Sequence, residues 1–346
     1  MRMNWDNNKH IKDNVLEVIG KTPMIRLNRI GADVEPNICI KLEYTNPSGS
    51  LKDRVVNTIV KKAEEESLLK PGMTLLEGTT GNTGIAAAMV GAAKGYPVII
   101  VMPEGMSEER KKTIRAYGAN LVLTPGAETD VDLVLEEVTK IKKEYGDKVF
   151  EIGQFYRNEN LLAHLDNTAP EIWEQTAGKI DAFIMCQGTG GTITGTAKYL
   201  KEKNPNIKIY VSEPSDSPIL AYGKIGQHKV QGIADGLIPE ILDLQYVDGI
   251  VLVSSEDSIK MAQEIAHKEG IFCGISSGCN VAAAKKVATK YPDLSCIVTM
   301  VNDNGLRYLS TELCGTFTDR QLLEREYTLS QEDLDKLKKY DFEIIE

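Results

Sequence analysis

Residues 182–192 read Ala-Phe-Ile-Met-Cys-Gln-Gly-Thr-Gly-Gly-Thr, and this stretch decides the fold. Its first part, residues 182–186, is apolar at every position rather than at every second one. That pattern is typical of a strand in a parallel sheet that is covered on both faces. Glycines follow, and a helical pattern begins at Thr192. The stretch therefore predicts a buried parallel strand that turns directly into a helix, the repeating unit of an α/β protein.

The same order of strand and helix recurs along the chain. Predicted strands cover residues 37–43, 74–77, 97–102, 120–123, 182–186, 208–212, 249–253 and 296–301, and predicted helices cover residues 53–69, 84–94, 107–117, 130–145, 192–203, 255–268 and 279–289. Residues 151–167 and 213–242 break this rhythm and are interpreted as long functional loops. A chain of 346 residues is long enough for about two domains. We therefore predict an α/β fold with two doubly wound, mostly parallel-sheet domains.

Composition and charge narrow the classes of function. The 40 basic and 50 acidic residues give a net charge of −10, which disfavours nucleic acid and anionic membranes as general partners. The apolar run 98–102 is far shorter than the ~20 residues that span a bilayer. Residues 1–10 are polar and lack the apolar segment of a secretory signal, so we expect a cytoplasmic protein. The six cysteines form no CxxC pair, so we expect reduced thiols and no metal site.

The glycine-rich turn is a candidate phosphate site. Its backbone N–H groups converge at the positive end of a helix, as anion binding requires; the residues are Gly188, Thr189, Gly190, Gly191 and Thr192. The turn is not a Walker A loop, because no Gly-Lys-Ser/Thr follows. It also lacks the third glycine of a dinucleotide fingerprint, where Ile193 stands. Two alternatives stay open: a plain tight turn, and a nicotinamide-dependent dehydrogenase in which Glu213 binds the ribose.

Lys52 is a candidate catalytic residue. It lies in the segment Asn-Pro-Ser-Gly-Ser-Leu-Lys-Asp-Arg (residues 46–54), where a strand gives way to a helix. A lysine in the first turn of a helix faces the positive end of the helix dipole, which lowers its proton affinity and favours imine formation with an aldehyde. The alternative is a solvated lysine at a helix start.

Two further turns between strand and helix carry hydroxyl and amide groups. Residues 77–84 read Glu-Gly-Thr-Thr-Gly-Asn-Thr-Gly, and their polar groups at a helix N-terminus suit a carboxylate ligand. Residues 274–278 read Gly-Ile-Ser-Ser-Gly, and a serine hydroxyl there can exchange a hydrogen bond with a neutral ring nitrogen. Each turn taken alone is also explained by ordinary helix capping.

Taken together, the four turns resemble those of the cysteine synthase and cystathionine β-synthase family, which are pyridoxal-phosphate enzymes of the tryptophan-synthase-β structural class. The resemblance runs from about Leu16 to about Leu313. It implies that Lys52 binds the cofactor and moves the Cα proton, that residues 188–192 hold the phosphate, that Asn82 lies beside the ring hydroxyl and that Ser276 faces the ring nitrogen. It further implies a pocket for the substrate carboxylate formed by Thr79, Thr80, Asn82, Thr83 and Gln154.

The resemblance also implies an arrangement of domains. A smaller, mobile domain that binds the substrate carboxylate is expected over residues 46–150, and a larger domain that holds the cofactor phosphate over residues 12–45 plus 151–315. The cofactor site then lies in the cleft between them. Residues 316–346 are expected to form a C-terminal helical arm, because Ser330, Asp333 and Leu334 suggest a capped amphipathic helix. A homodimer is expected from the resemblance alone.

Two departures from the family pattern stand out. Residues 232–239 read Gly-Ile-Ala-Asp-Gly-Leu-Ile-Pro, where cysteine synthases usually have Gly-Ile-Gly-Ala-Gly-Phe-Ile-Pro. Asp235 is therefore either a turn residue or, if it faces the pocket, a general base that would favour water or a thiol over anionic sulfide. Asn302-Asp303-Asn304 replaces a more usual Pro-Ser or Pro-Asp stretch near the cofactor ring, with no effect that the sequence predicts.

The leading hypothesis is a pyridoxal-phosphate-dependent β-replacement. It forms L-cysteine from an activated L-serine of the O-acetylserine type and sulfide, through an α-aminoacrylate. The first alternative is a cysteine or serine lyase or a cystathionine β-synthase, which releases sulfide from cysteine with Asp235 as base. More remote alternatives are the nicotinamide-dependent dehydrogenase and a protein that binds pyridoxal phosphate without catalysis.

Overall fold

Two separate β-sheets organise the chain in the computed structural model, which describes residues 10–127, 130–315 and 328–346. Their strands are β1 (Met24–Arg26), β2 (Asn37–Leu42), β3 (Thr74–Gly78), β4 (Val98–Pro103), β5 (Asn120–Thr124), β6 (Val149–Glu151), β7 (Ala182–Cys186), β8 (Lys208–Pro214), β9 (Gly249–Val253), β10 (Cys296–Val301) and β11 (Glu343–Ile345). The larger sheet has the order β1-β2-β10-β7-β8-β9-β11 and the smaller one β5-β4-β3-β6.

Helices connect the strands and cover the sheets. They are α1 (Lys52–Glu65), α2 (Asn82–Lys94), α3 (Glu108–Ala116), α4 (Val131–Tyr145), α5 (Asn158–Ala163), α6 (Ala169–Gln175), α7 (Gly191–Lys203), α8 (Ile219–Tyr222), α9 (Ser255–Glu269), α10 (Ile275–Lys290) and α11 (Gln331–Leu337). A π-helical segment, His164–Thr168, joins α5 to α6. Among the described residues, no helix is long and apolar enough to span a membrane.

The pairing of the strands confirms the predicted fold class. Within the described part of the chain every strand pair is parallel except β1 with β2. Strands β4, β7 and β9 are buried at every position, as expected for sheets covered on both faces. The carboxyl ends of parallel strands meet at one edge, so the turns after β3 and β7 are brought to the edge of their own sheet, where binding sites form.

The segment predicted as a loop over residues 151–167 is largely helical. It contains β6's last residue, α5 and most of the π-helical segment, and the helical path continues through α6. Its polar and aromatic composition hides the apolar period of a helix, since Asn160, His164 and Thr168 are buried polar residues. The loop prediction for residues 151–167 was wrong for this reason.

The C-terminal segment contains the predicted helix and also a strand. The Ser330 hydroxyl accepts the N–H of Asp333 at 3.1 Å and caps α11, as predicted. Strand β11 then pairs in parallel with β9 and extends the larger sheet, so the segment is not helical throughout. Residues 316–327 of the predicted arm lie outside the described residues.

Each sheet has its own apolar core. The core of the larger sheet includes Phe183, Val211 and Val298, and that of the smaller sheet includes Leu75, Ile100 and Phe150. The predicted domain boundaries at residues 46, 150 and 315 stay a prediction.

Candidate active site

A cavity between the two sheets collects nearly all of the predicted site residues. The smaller sheet and its neighbouring segments contribute Lys52, Thr79, Thr80, Asn82, Thr83 and Gln154, and the larger sheet contributes Cys186, Gly188, Thr189, Gly190, Thr192, Asp235, Ser276 and Asn302. Gly191 is the one predicted residue that does not line it. Residues far apart in the sequence therefore meet at one place, as the four turns predict.

The glycine-rich turn forms a cradle that has no room for side chains. Gly190 has φ +85°, in the left-handed region that favours glycine. A Cβ on Gly191 would lie 2.1 Å from Oδ1 of Asn160. Helix α7 begins at Gly191, so the N–H groups of its first turn have no partner within the helix. This is the geometry of an anion site at a helix N-terminus.

Hydroxyl groups of the cradle are held from behind. Asn160 donates to the Thr189 hydroxyl at 2.9 Å, and Nε2 of His164 lies 3.1 Å from the Thr192 hydroxyl. Nδ1 of His164 lies 3.0 Å from the hydroxyl of Thr168. Burial, helped by the nearby charge of Arg54, lowers the pKa of His164 to about 3, so the imidazole is neutral. Sequence reasoning missed His164 and Asn160, because both fall in the segment interpreted as a loop.

Lys52 lies at the first position of α1 with its side chain in the cavity. Removal from water lowers the pKa of its amine, and the negative charges of Asp235 and Asp303 oppose this shift. The predicted helix began at Asp53, one residue later. A lysine whose amine loses its proton more readily than usual is suited to act as a base or a nucleophile.

The turn after β3 presents hydroxyl and amide groups to the cavity. The Thr83 hydroxyl donates to Oε1 of Gln154 at 2.5 Å, which joins two predicted carboxylate-binding residues. A Cβ on Gly81 would lie 2.2 Å from Cδ of Arg110, so only glycine fits at that position. Thr79, Thr80 and Thr83 are all buried and line the cavity.

Asn82 is held by two charged residues that the sequence did not single out for this role. Its Nδ2 donates to Asp303 at 2.7 Å, and its Oδ1 accepts from Arg307 at 2.7 Å. Asp303 also accepts the hydroxyl of Tyr308 at 2.7 Å and lies 3.9 Å from the guanidinium of Arg110. We call these four residues, Asp303, Arg110, Arg307 and Tyr308, the buried charge cluster. Because Arg110 lies on α3 and Asp303 follows β10, the cluster joins the two sheets.

Asp235 faces the cavity. It is 6% exposed and lines the cavity together with Lys52. Its charge favours the protonated form of the Lys52 amine. The backbone around it is turn-like, since Ala234 and Gly236 have positive φ values, so Asp235 lies in a turn and also lines the cavity. Its role as a base stays a prediction.

Glu213 does not take part in this site, which corrects the dehydrogenase alternative. Its carboxylate is fully buried and accepts the backbone N–H groups of Leu220 at 2.9 Å and Ala221 at 2.8 Å. It therefore caps α8 and is not available to a ribose.

The residues present fit pyridoxal phosphate. The cradle would hold a phosphate, the Lys52 amine matches an aldehyde, and the donors and acceptors of Asn82 and Ser276 match a pyridine ring with a hydroxyl group.

Comparisons with known proteins agree with this geometry. A family model described as pyridoxal-phosphate dependent enzyme matches residues 15–303. A cysteine synthase of Staphylococcus aureus (strain N315) is 44% identical over 302 residues, which cover 87% of this chain and 96% of that protein.

Solved structures of three enzymes are similar to this chain. A cysteine synthase from Entamoeba histolytica is 39% identical with a TM-score of 0.84, covering 96% of this chain and 97% of that one. A hydrogen sulfide-producing enzyme from Fusobacterium nucleatum is 40% identical with a TM-score of 0.83, covering 86% and 100%. An O-ureido-L-serine synthase is 39% identical with a TM-score of 0.84, covering 88% and 95%.

Proposed function

The chain belongs to the pyridoxal-phosphate-dependent enzymes, and from that premise we propose that it forms L-cysteine by β-replacement. Membership confirms the predicted family and cofactor. The proposed substrates are an activated L-serine of the O-acetylserine type and sulfide, with acetate as the leaving group. The observation that carries the proposal is the meeting, in one cavity, of Lys52, the phosphate cradle and the carboxylate-binding turn, in a chain 44% identical to a cysteine synthase.

The chemistry of each residue determines its role in the proposed reaction. When bound, pyridoxal phosphate supplies a conjugated ring that takes up electron density from the Cα of an amino acid. The amine of Lys52, with its lowered pKa, takes the Cα proton as a general base. The hydroxyls of Thr79, Thr80 and Thr83 and the amide of Gln154 bind the substrate carboxylate. Closure of the turn after β3 over the substrate excludes water, which competes with sulfide as a nucleophile.

The test is formation of cysteine by the purified chain with bound cofactor, from O-acetylserine and sulfide. We expect Lys52→Ala to lower kcat/KM by about 10²–10⁴-fold, because it removes the group that moves the proton. Lys61→Ala is the control, since Lys61 lies on the same helix with 69% of its side chain exposed. Activity of Lys52→Ala equal to that of the control would overturn the proposal.

A second candidate function is the release of sulfide from L-cysteine, with water or a thiol as the incoming nucleophile. The position of Asp235 in the cavity supports it, because a carboxylate repels anionic sulfide and can take a proton from water. The similarity to a hydrogen sulfide-producing enzyme supports it as well. In this reaction cysteine and water give serine and hydrogen sulfide, so the bond broken is Cβ–S and the bond formed is Cβ–O.

Two variants separate the candidates. If Asp235 is the base, Asp235→Asn and Asp235→Ala lose sulfide release by about 10²-fold or more and keep or gain cysteine formation. Glu240→Gln, an exposed carboxylate in the same segment, is the control. Equal loss of both activities in the Asp235 variants would assign Asp235 a structural role and remove the second candidate.

The remaining expectations concern partners and location. The proposed partners are small molecules, namely an amino acid and sulfide or a thiol, with no nucleic acid or membrane. A homodimer, a cytoplasmic location and the mobility of residues 46–150 stay predictions. The first is tested by measuring the size in solution, the second by cell fractionation, and the third by scattering with and without substrate.

A further inference from the structure

Asn302 occupies a position where the family pattern has proline, and its side chain reaches the cavity. The residue is 3% exposed and directly follows β10. Its Nδ2 lies 3.1 Å from the hydroxyl oxygen of Ser276. Proline has no side-chain hydrogen-bond donor, so this contact is specific to chains that have a donor here.

The direction of this hydrogen bond can be traced back to the protein backbone. Oδ1 of Asn280 accepts the backbone N–H of Cys186 at 2.8 Å, and its Nδ2 donates to the backbone carbonyl of Met300 at 2.9 Å. A backbone N–H only donates and a carbonyl only accepts, so the amide of Asn280 has one possible orientation.

Asn280 in turn fixes the amide of Asn302. Nδ2 of Asn280 also lies 3.2 Å from Oδ1 of Asn302. With a donor on the Asn280 side, the facing atom of Asn302 must be its acceptor oxygen, because the flipped amide would oppose two donors. The Nδ2 group of Asn302 therefore faces Ser276 and the sulfur of Cys186, which lies 3.2 Å away.

Ser276 is consequently an acceptor on its Asn302 side. A hydroxyl has a single proton, and one that accepts from an amide keeps that proton for another partner. Within the described residues no hydrogen bond uses this proton, and Ser276 lines the cavity. The hydroxyl is thus a donor toward whatever ring atom lies opposite it.

We propose that Asn302 is a positioning residue that turns the Ser276 hydroxyl into a hydrogen-bond donor and so keeps the pyridine nitrogen of the cofactor unprotonated. The proposal rests on the proposed function, in that Ser276 must face the ring nitrogen. A nitrogen that accepts a hydrogen bond cannot carry a proton at the same time. An unprotonated ring withdraws electrons less strongly than a pyridinium, which favours loss of a group from Cβ over transamination.

The experiment uses the full chain loaded with pyridoxal phosphate that carries ¹⁵N at the ring nitrogen. The ¹⁵N chemical shift separates a neutral pyridine from a pyridinium. For the natural chain we expect the neutral value. For Asn302→Asp we expect a shift most of the way to pyridinium, because the new carboxylate accepts the Ser276 proton and leaves an oxygen lone pair facing the ring. Thr299→Val is the control, since its hydroxyl lies on β10 and donates to the backbone carbonyl of Ile184.

Asn302→Ala covers the case in which the aspartate variant does not fold. Without the donor, the Ser276 hydroxyl rotates freely, and the expected ¹⁵N shift lies between the two values. A shift in both Asn302 variants equal to that of the natural chain would overturn the proposal. Cysteine formation is measured on the same samples to separate the two proposals. If the natural chain binds the label and makes cysteine but the Asn302 variants leave the ¹⁵N shift unchanged, only this inference is contradicted. A natural chain that does not bind the label contradicts both.

Discussion

Asn302 and Asp303 are neighbours in the chain, yet they belong to two networks of opposite character. Asn302 lies in a chain of neutral amides and hydroxyls within the larger sheet, together with Asn280 and Ser276. Asp303 lies in the buried charge cluster that joins the two sheets. In a neutral network the hydrogen bonds fix which atoms donate and which accept, and losing one partner leaves no unpaired charge. A buried charged network depends on every partner, since losing one leaves a charge without compensation.

The largest effect is expected for Asp303→Ala. It leaves the guanidinium groups of Arg110 and Arg307, both buried, without their shared carboxylate. We expect the free energy of unfolding to fall by about 3–5 kcal/mol, the usual cost of removing one partner of a buried ion pair. Urea denaturation of the loaded enzyme measures it. Asp303→Asn, which keeps the shape and removes the charge, should lose a comparable amount; a stable Asp303→Asn would show that charge is not the reason.

A smaller loss is expected for Asn302→Ala, one residue away. The substitution removes hydrogen bonds to Ser276, Cys186 and Asn280 but leaves no unpaired charge. Leaving a neutral buried polar group unpaired costs about 1–3 kcal/mol. The same urea experiment measures it. If Asn302→Ala were as costly as Asp303→Ala, the contrast between the neutral and the charged network would not hold.

The contrast also explains what the sequence predicts and what it does not. The turns at residues 79–83 and 188–192 were found because glycines and hydroxyl residues between a strand and a helix are a local signal. The partners of Asp303 were not, because Arg110 is almost two hundred positions away in the chain and resembles an ordinary surface arginine of an amphipathic helix. Strands β1, β6 and β11 are three residues long, too short for any periodicity to appear.

Buried polar residues caused the other failures. Asn160 and His164 support the glycine-rich cradle from a helical segment without an apolar stripe. Asn280 lies on α10, where it is completely buried, and nothing in the local pattern distinguishes it from a capping or surface asparagine. When the partner of a residue is distant in the sequence, the role of that residue can be inferred only once the fold is known.

Acid should destabilise the folded chain through His164, which supports the glycine-rich cradle. Because burial lowers the pKa of His164 to about 3 from 6.5, the folded chain takes up this proton at a lower pH than the unfolded chain does. The contribution of the neutral His164 to the free energy of unfolding is therefore fully present above pH 6.5. It falls as the pH drops from 6.5 toward 3, by up to about 1.4 kcal/mol per pH unit. His164→Gln should show a flatter decline over this range in urea titrations at several pH values. His228, whose pKa burial lowers to about 4, contributes to both proteins alike, so parallel curves would contradict this role for His164.

The smallest effect is expected for the same chemical change at an exposed ion pair. Glu312 and Lys229 lie 2.6 Å apart with 45% and 61% of their side chains exposed. Glu312→Gln and Asp303→Asn both replace a carboxylate with an amide of the same shape. Water solvates the lysine that Glu312→Gln leaves behind, so the expected change in the free energy of unfolding is about 0.2–1 kcal/mol and shrinks further in high salt.

A loss at Glu312 as large as the loss at Asp303, measured in the same urea series, would show that burial is not what makes the charge cluster sensitive. Equal salt dependence at the two positions would lead to the same conclusion, because a pair shielded from water by both sheets has little contact with dissolved ions.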